Sequence, residues 1–403
     1  MITLLTDIYQ ILQILTLVIL GLSTLYIFVF ALAGLFYKQA AYAAHPVIRK
    51  IAVLIPGYKE DAVIVEVAEE ALKQNYPTDS YDVVIIADSF QPETIAELRK
   101  MSIKVIEVSF DKSTKSKALN KAMAQLETAY DLAVVLDADN IMATDFLTKV
   151  NASFEEHFMA VQGHRTAKNT DTSLAVLDAA SEEINNHIFR KGHRVLGLSS
   201  AIIGSGMAFR YSFFKEMMAG VTAIGGFDKE IELHMLKNGY LIEYLDDALV
   251  FDEKVQKEEV FSNQRRRWLS AQLHYFSKDF LSSVAALMTK GNIDYFDKAV
   301  QFIQLPRVLL LGSDILLAVL CIIINSVVGL FPTLSILWLS LAVTCMLAFL
   351  FSVPGSFWNK STLKALSRLP KGMFLMLGSL LKIKGANKQF IHTQHTSAKS
   401  KNT

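Results

Sequence analysis

The amino-acid sequence predicts an α/β domain, a doubly wound and mostly parallel sheet covered by helices, set between membrane-spanning helices. Three observations carry that prediction. Most of the charge lies in the middle of the 403-residue chain, and the long apolar runs lie toward its ends. Short β-branched runs alternate with helical patterns in the first half of the charged region. Acidic residues follow those runs directly, the place where parallel sheets bind ligands. The balance of 52% hydrophobic and 20% charged residues, with a mean hydropathy of +0.32, is too apolar for a soluble protein and too charged for a membrane bundle throughout. Roughly 250 residues remain near the middle, enough for one domain with its own core.

The flanks are read from their charge. Ile8–Tyr37 carries none over 30 positions, longer than a signal-peptide core, and predicts a membrane anchor over 8–37. Ile315–Asn359 is uncharged over 45 positions and divided at Phe331-Pro332, so two spans are expected, over 308–330 and 333–353. Lys38, Arg49 and Lys50 follow the first span; Lys360, Lys364, Arg368 and Lys371 follow the third. The positive-inside bias then predicts a multi-pass protein of the cytoplasmic (inner) membrane, with its central domain in the cytoplasm and its amino terminus outside. The stretch 361–384 holds only ten uncharged residues in a row and reads as an interfacial amphipathic helix, with a further span as the alternative. Residues 269–305 read as interfacial helices too. Cys321 and Cys345 both fall in apolar runs, so neither disulfides nor a cysteine metal site is expected. A net charge of +1 gives no electrostatic case for a nucleic-acid partner.

Strands are expected at Ile51–Ile55, Asp82–Ala87, Lys104–Val108 and Leu132–Leu136, with helices at Ile64–Gln74, Pro92–Met101 and Ser116–Tyr130. After the first strand, Pro56-Gly57-Tyr58-Lys59-Glu60 reads as a loop offering backbone donors and a tyrosine ring to a planar, charged ligand. After the second comes Asp88, and after the fourth come Asp137 and Asp139. Carboxylates two apart at a strand end enter one crevice, where hard oxygen ligands suit Mg2+ or Mn2+ bridging to a diphosphate. A plain turn is the alternative; the apolar strand ahead of the pair argues for the ligand. Lys115, Lys117 and Asn120 open a helix and put cations beside backbone N–H donors, where a phosphate docks, although a solvated helix face fits equally. Gly204-Ser205-Gly206 is a permissive loop past which a sugar can lie closely. Gly225-Gly226-Phe227-Asp228 leads into a helix carrying Glu230 and Glu232 and closed by Gly239-Tyr240, with Asp228 either its cap or a general base. Gln264-Arg265-Arg266-Arg267-Trp268 joins guanidinium groups, which bind diphosphate bidentately, to an indole platform for a pyranose ring. A positive cluster beside lipid headgroups is the bland alternative.

Taken in order, these motifs resemble the membrane-integrated family 2 glycosyltransferases, the group of cellulose, chitin and hyaluronan synthases and ceramide glucosyltransferase. The resemblance covers about Ile51 to Trp268. It rests on Asp88, on Asp137-x-Asp139, on Asp228 eleven positions before Gly239-Tyr240, and on Gln264-x-x-Arg267-Trp268. It implies a GT-A domain, Rossmann-like, over 46–268. It implies a UDP-sugar against Pro56, Tyr58, Glu60, Asp88, Lys117 and Asp137, and a divalent metal on Asp139 with Asp137. Asp228 would deprotonate the acceptor hydroxyl, and Gln264, Arg266, Arg267 and Trp268, with Gly204, Ser205 and Gly206, would hold diphosphate and acceptor. Members usually carry a second carboxylate where this chain has Phe227, so Glu230 is the candidate to share the base's role.

The expected reaction is therefore inverting transfer from a UDP-sugar, extending a polysaccharide at the membrane. Transfer of one sugar to a lipid acceptor is the alternative, because three spans are few for a channel. An inactive polysaccharide-binding or scaffolding membrane protein is the third reading, and it would need neither metal site nor base. Expected partners are the donor, a growing glycan or lipid acceptor, membrane lipids and, in an export complex, further subunits. Arg307 and Asp314, seven apart on one face of the second span, read as functional groups or as a mutual pair. His392-Thr393-Gln394-His395 reads as part of a solvated tail over 385–403.

Overall fold

The computed structural model describes residues 2–127, 129–155, 158–221, 223 and 225–383, so the His392–His395 segment lies outside the described residues. The chain opens with α1 (Ile2–Gly34), followed by β1 (Ile51–Tyr58), α2 (Ile64–Ala71), β2 (Tyr81–Asp88), α3 (Pro92–Leu98) and β3 (Lys104–Val108). Next come α4 (Lys115–Gln125), β4 (Leu132–Val135), β5 (Ile141–Met142), α5 (Phe146–Ser153) and β6 (Ala160–Ala167). Then α6 (Ser173–Asn186) runs through a π-helical turn, His187–Gly192, into α7 (His193–Val195). The elements β7 (Met207–Arg210), α8 (Tyr211–Ala219), α9 (Phe227–Lys237) and β8 (Ile242–Asp252) complete the sheet domain. Beyond it lie α10 (Glu258–Lys290), α11 (Ile293–Ile303), α12 (Arg307–Val328), α13 (Pro332–Ser352), α14 (Lys360–Leu366) and α15 (Leu369–Leu381).

One sheet runs in the order β3-β2-β1-β4-β7-β6-β8-β5. Its first half, β3 to β4, is parallel, as strand–helix alternation predicts. β7 then lies antiparallel to both β4 and β6, while β6 and β8 are parallel to each other. The strands are apolar on both faces because both are covered: Ala52, Leu54, Val84 and Ile86 pack under α4 and α8, and Ile51, Val53, Val83 and Ile85 under α2 and α5. β1 continues to Tyr58, so Pro56 and Tyr58 are strand residues and not loop. A proline is tolerated there because β4 pairs with β1 only as far as Leu54, which leaves Pro56 on an open edge.

Among the described residues three helices, α1, α12 and α13, are long and apolar enough to cross a membrane. They pack around Ile27, Ala318, Trp338, Cys345 and Ala348. Polar pairs set their register: Thr24 Oγ1 donates to Asp314 Oδ2 at 2.7 Å, and the Gln13 and Asn325 amides exchange hydrogen bonds at 3.2 Å. Arg307 and Asp314 do not pair, since seven residues separate them by about 10 Å along the helix; Arg307 donates instead to Ser181 Oγ at 3.0 Å. α15 has 13 residues, about 20 Å of helix against roughly 30 Å of hydrocarbon, too short for a span. The expected boundary at 268 is not a boundary in the fold. With no proline or glycine from Glu258 to Lys290, one helix carries the arginine motif and runs on until Gly291 caps it at φ +64°.

Candidate active site

The strand ends meet at one edge. β1 lies between β2 and β4, and a Cβ at Gly57 would stand 3.5 Å from Ala138 Cβ and 2.6 Å from the Phe90 ring. Pro56–Glu60, Asp88 and Asp137–Asp139 therefore border the same crevice. Asp88 is buried and accepts from Ser89 Oγ at 3.0 Å, while its carbonyl accepts from Lys59 N at 3.1 Å. Lys59 and Ser89 both turn with positive φ, +56° and +60°, a conformation that costs a side-chain-bearing residue energy and collects at functional edges. Glu60 is buried at the same place.

The loop before β7 closes the crevice from the other side. Gly204 and Gly206 have φ of +78° and +64°, which residues with a Cβ rarely adopt, and between them Ser205 points inward, fully buried. Ser205 Oγ accepts from Asp137 N at 2.9 Å and donates to Asn140 Oδ1, and Gly206 N donates to Val135 O at 2.9 Å. Lys115 Nζ donates to Asp137 Oδ1 at 2.5 Å and to Gly204 O at 2.7 Å. A Cβ on Gly204 would lie 3.7 Å from Asp228 Cβ and Cγ, so the N-terminal turn of α9 faces this loop. Asp137, Gly204, Lys115 and Asp228 thus form one group.

Three expected residues stand elsewhere on these helices. Lys117 turns outward and donates to Lys112 O at 2.9 Å; Lys115, two residues earlier, supplies the crevice's cation. Asn120 donates to Met218 O and is structural. Glu230 lies two residues past Asp228, nearly opposite on a helix. Its Oε2 accepts from Ala223 N at 3.0 Å and its Oε1 is 3.8 Å from Lys278 of α10, so it does not share the Asp228 position. The eleven-residue spacing to Gly239 is the length of α9, ended by a glycine at φ +76°.

Geometry also divides the arginine motif. Successive helical residues diverge by roughly 100°, so Gln264, Trp268, Ala271 and Tyr275 share one face of α10. That face meets the start of α9: a Cβ at Gly226 would lie 3.2 Å from Ala271 Cβ and 3.5 Å from the Tyr275 ring. Arg267 borders it, and burial holds its guanidinium below the usual arginine range. Arg265 pairs with Asp178 of α6 and stacks on Trp268, 4.4 Å from the ring. Arg266 projects to the far side and donates to Lys382 O at 3.1 Å, at the carboxyl end of α15. The expected placing of Arg266 at diphosphate or acceptor is not what the fold shows.

Beneath the crevice lies a charge network absent from the motif reading. Asn140 Nδ2 donates to Asp139 Oδ1 at 3.1 Å and to Asp252 Oδ1 at 3.0 Å. Lys254 pairs with Asp252 at 2.8 Å, and Arg165 with Glu182 of α6 at 2.9 Å. Burial alone would raise the Asp252 carboxyl, but Arg165 and Lys254 hold it well below the usual range. Burial is likewise outweighed at Glu182, which Arg165, Lys254 and Arg190 bring down to about 2. Asp139, 3% exposed, also accepts from Glu253 N at 3.3 Å. Asp137 and Asp139 offer hard oxygen donors suited to Mg2+ or Mn2+. Among the described residues no group of three or more His, Cys, Asp or Glu converges on a metal-sized site.

Comparison with known proteins places this arrangement. Probable glycosyltransferase YdaM of Bacillus subtilis is 26% identical over 230 residues, 54% of this chain and 54% of that protein. Beta-monoglucosyldiacylglycerol synthase of Trichormus variabilis is 27% identical over 234 residues, 54% of this chain and 48% of that protein. The chain spans about half the length of the curated relatives it matches. The mannosyltransferase PcManGT from Pyrobaculum calidifontis, solved with GDP-Man and Mn2+, superposes with a TM-score of 0.51 at 17% identity, over 86% of this chain and 98% of that one. The fold is GT-A-like, with apolar helices at its flanks. The family model described as Glycosyltransferase like family 2 matches residues 48–271, and the chain belongs to that family.

Proposed function

We propose that this chain is an inverting glycosyltransferase that moves a sugar from a UDP-sugar to an acceptor hydroxyl presented at the cytoplasmic face of a membrane. The observation that carries the reading is that Lys115 holds both Asp137 and the Gly204 carbonyl, and that Asp228 lies against Gly204. Pro56, Tyr58, Glu60 and Asp88, at the ends of β1 and β2, would seat the nucleoside. Asp228 takes the proton of the acceptor hydroxyl as its oxygen attacks the anomeric carbon from the side opposite the diphosphate. Lys115 and Arg267 offset the charge that develops on the departing UDP, and Gln264 and Trp268 border the acceptor. Asp137 and Asp139 would hold Mg2+ or Mn2+, which supplies further neutralisation of the diphosphate when bound.

The acceptor divides two readings, a growing polysaccharide or a lipid that receives one sugar. The interior of the three-helix bundle is filled by Trp338, Cys345, Ala348 and Asp314, which supports an acceptor at the lipid surface over one threaded through the bundle. The sequence similarity to a beta-monoglucosyldiacylglycerol synthase supports the same side. The test is UDP release by the purified chain, in lipid, across a panel of UDP-sugars with and without a chelator, followed by sizing of the labelled product. A single-sugar lipid product is expected. Polymer would restore the polysaccharide reading, and UDP release unchanged by Asp228→Asn would overturn the mechanism.

A further inference from the structure

The helix that carries Asp228 is tied to the membrane side of the molecule by a buried ion pair. Glu232 lies one turn beyond Asp228 on α9 and is 2% exposed. Its Oε1 accepts from Lys298 Nζ of α11 at 2.8 Å and from Ile202 N at 3.2 Å. Ile202 leads into Gly204-Ser205-Gly206, so one carboxylate joins the base's helix, the glycine loop and α11. The neighbouring Asp297 faces the other way: it accepts from Tyr26 of α1 at 2.8 Å and sits 3.1 Å from His193 Nε2. Phe30 of α1 stacks on that histidine at 3.7 Å. α11 therefore grips α1 with one residue and α9 with the next.

An ion pair this deeply buried adds little net stability over an apolar pair of equal volume, so its worth lies in the geometry it imposes. We propose that Glu232, held by Lys298, is a positioning residue for Asp228: it sets the base's helix against the Gly204 loop and, through α11, ties that setting to the seating of α1. The inference rests on the reading of Asp228 as the base. Around Glu232 the charged groups are Lys298 of α11, Asp228 and Lys229 of α9, and Arg190 of the π-turn, and Asp294 of α11 faces Lys298. Around Asp228 they are Lys229, Glu230 and Glu232 of its own helix, Tyr275 of α10 and, across Gly204, Lys115.

The test is the kinetics of UDP release by the full chain in lipid, for wild type, Glu232→Gln, Lys298→Met and Lys298→Arg. Glu232→Gln and Lys298→Met are each expected to lower kcat about 30-fold, the cost of a base misplaced by a fraction of an ångström, with KM for the UDP-sugar within about twofold. Lys298→Arg should restore most of the rate. The acidic limb of the kcat profile should move down by about one pH unit in Glu232→Gln, which leaves a cation beside Asp228, and not in Lys298→Met, which removes one. Glu232→Gln keeps the side-chain shape and an acceptor for Ile202 N, so its result decides the matter even if Lys298→Met does not fold. Unchanged kcat, a parallel rise in KM, or an unmoved limb with only a lowered thermal midpoint would overturn the positioning role. A wild-type chain that releases no UDP overturns both readings, whereas an active wild type with unaltered variants overturns this one alone.

Discussion

Asp137 and Asp139 leave β4 and stay in one crevice, whereas Arg265, Arg266 and Arg267 leave one turn of α10 in three directions. The first pair emerges in the short turn after β4, where Ser205 and Asn140 pin the loop. The arginines sit on a helix, where neighbours diverge by roughly 100°, so Arg265 goes to Asp178, Arg266 to the end of α15 and Arg267 to the face that carries Ala271. Adjacency in sequence means shared chemistry at the end of a strand. Within a helix it means the reverse, and only residues three or four apart, such as Gln264 and Trp268, act on one face.

The largest effect should come from the strand-end half. Asp139→Asn or Asp228→Asn is expected to lower UDP release by about a thousandfold, combining loss of base or metal ligand with loss of charge complementarity, read in steady-state assays with folding checked by thermal midpoint. Next, the divergence on α10 predicts that Arg267→Ala lowers kcat/KM roughly a hundredfold while Arg266→Ala stays within about threefold. Equal losses for the two would show that both arginines reach the site. On α4 the same comparison is smaller: Lys115→Met should lower the rate about tenfold, and Lys117→Met should leave it unchanged.

The smallest effect is on stability. His164 is buried, which alone would lower its pKa, but Asp246 and Glu183 on either side push it up to about 9. A histidine raised on folding stabilises the protein fully below its unfolded pKa near 6.5 and loses that contribution as pH rises through about 9. Thermal midpoints measured between pH 6 and pH 10 should therefore fall across that window by the equivalent of about 3 kcal/mol. His164→Gln should flatten the profile and leave kcat at pH 7 unchanged.

Much of this was legible before any coordinates. The four parallel strands, the helices between them and the three long apolar helices follow from periodicity and from the length of the uncharged runs, and their bounds fall within about six residues of where those signals put them. The positions of Asp137 and Asp139 just after β4, and of Asp228 in the first turn of α9, were legible because a strand end or a helix start is marked locally. Lys115 was harder to tell from Lys117. Both open α4, and only the approach of the Gly204 carbonyl from ninety residues away selects one. The antiparallel insertion of β7 left no trace in its four residues, since pairing direction depends on a partner strand and not on local composition.

By itself the chain's order of residues determined where strands, helices and long apolar helices form, and which strand ends carry carboxylates, because those properties depend on patterns within about twenty residues. Tertiary structure alone decided which arginines Asp178 and the end of α15 hold, and which lysine meets Asp137 and the Gly204 carbonyl. It also decided that Glu232 and Lys298 meet, and that Asn140, Asp252 and Glu182 support the crevice from below. Those are contacts between segments far apart in sequence. Their energies depend on burial and on the direction each side chain leaves its element, and neither quantity exists until the elements have packed.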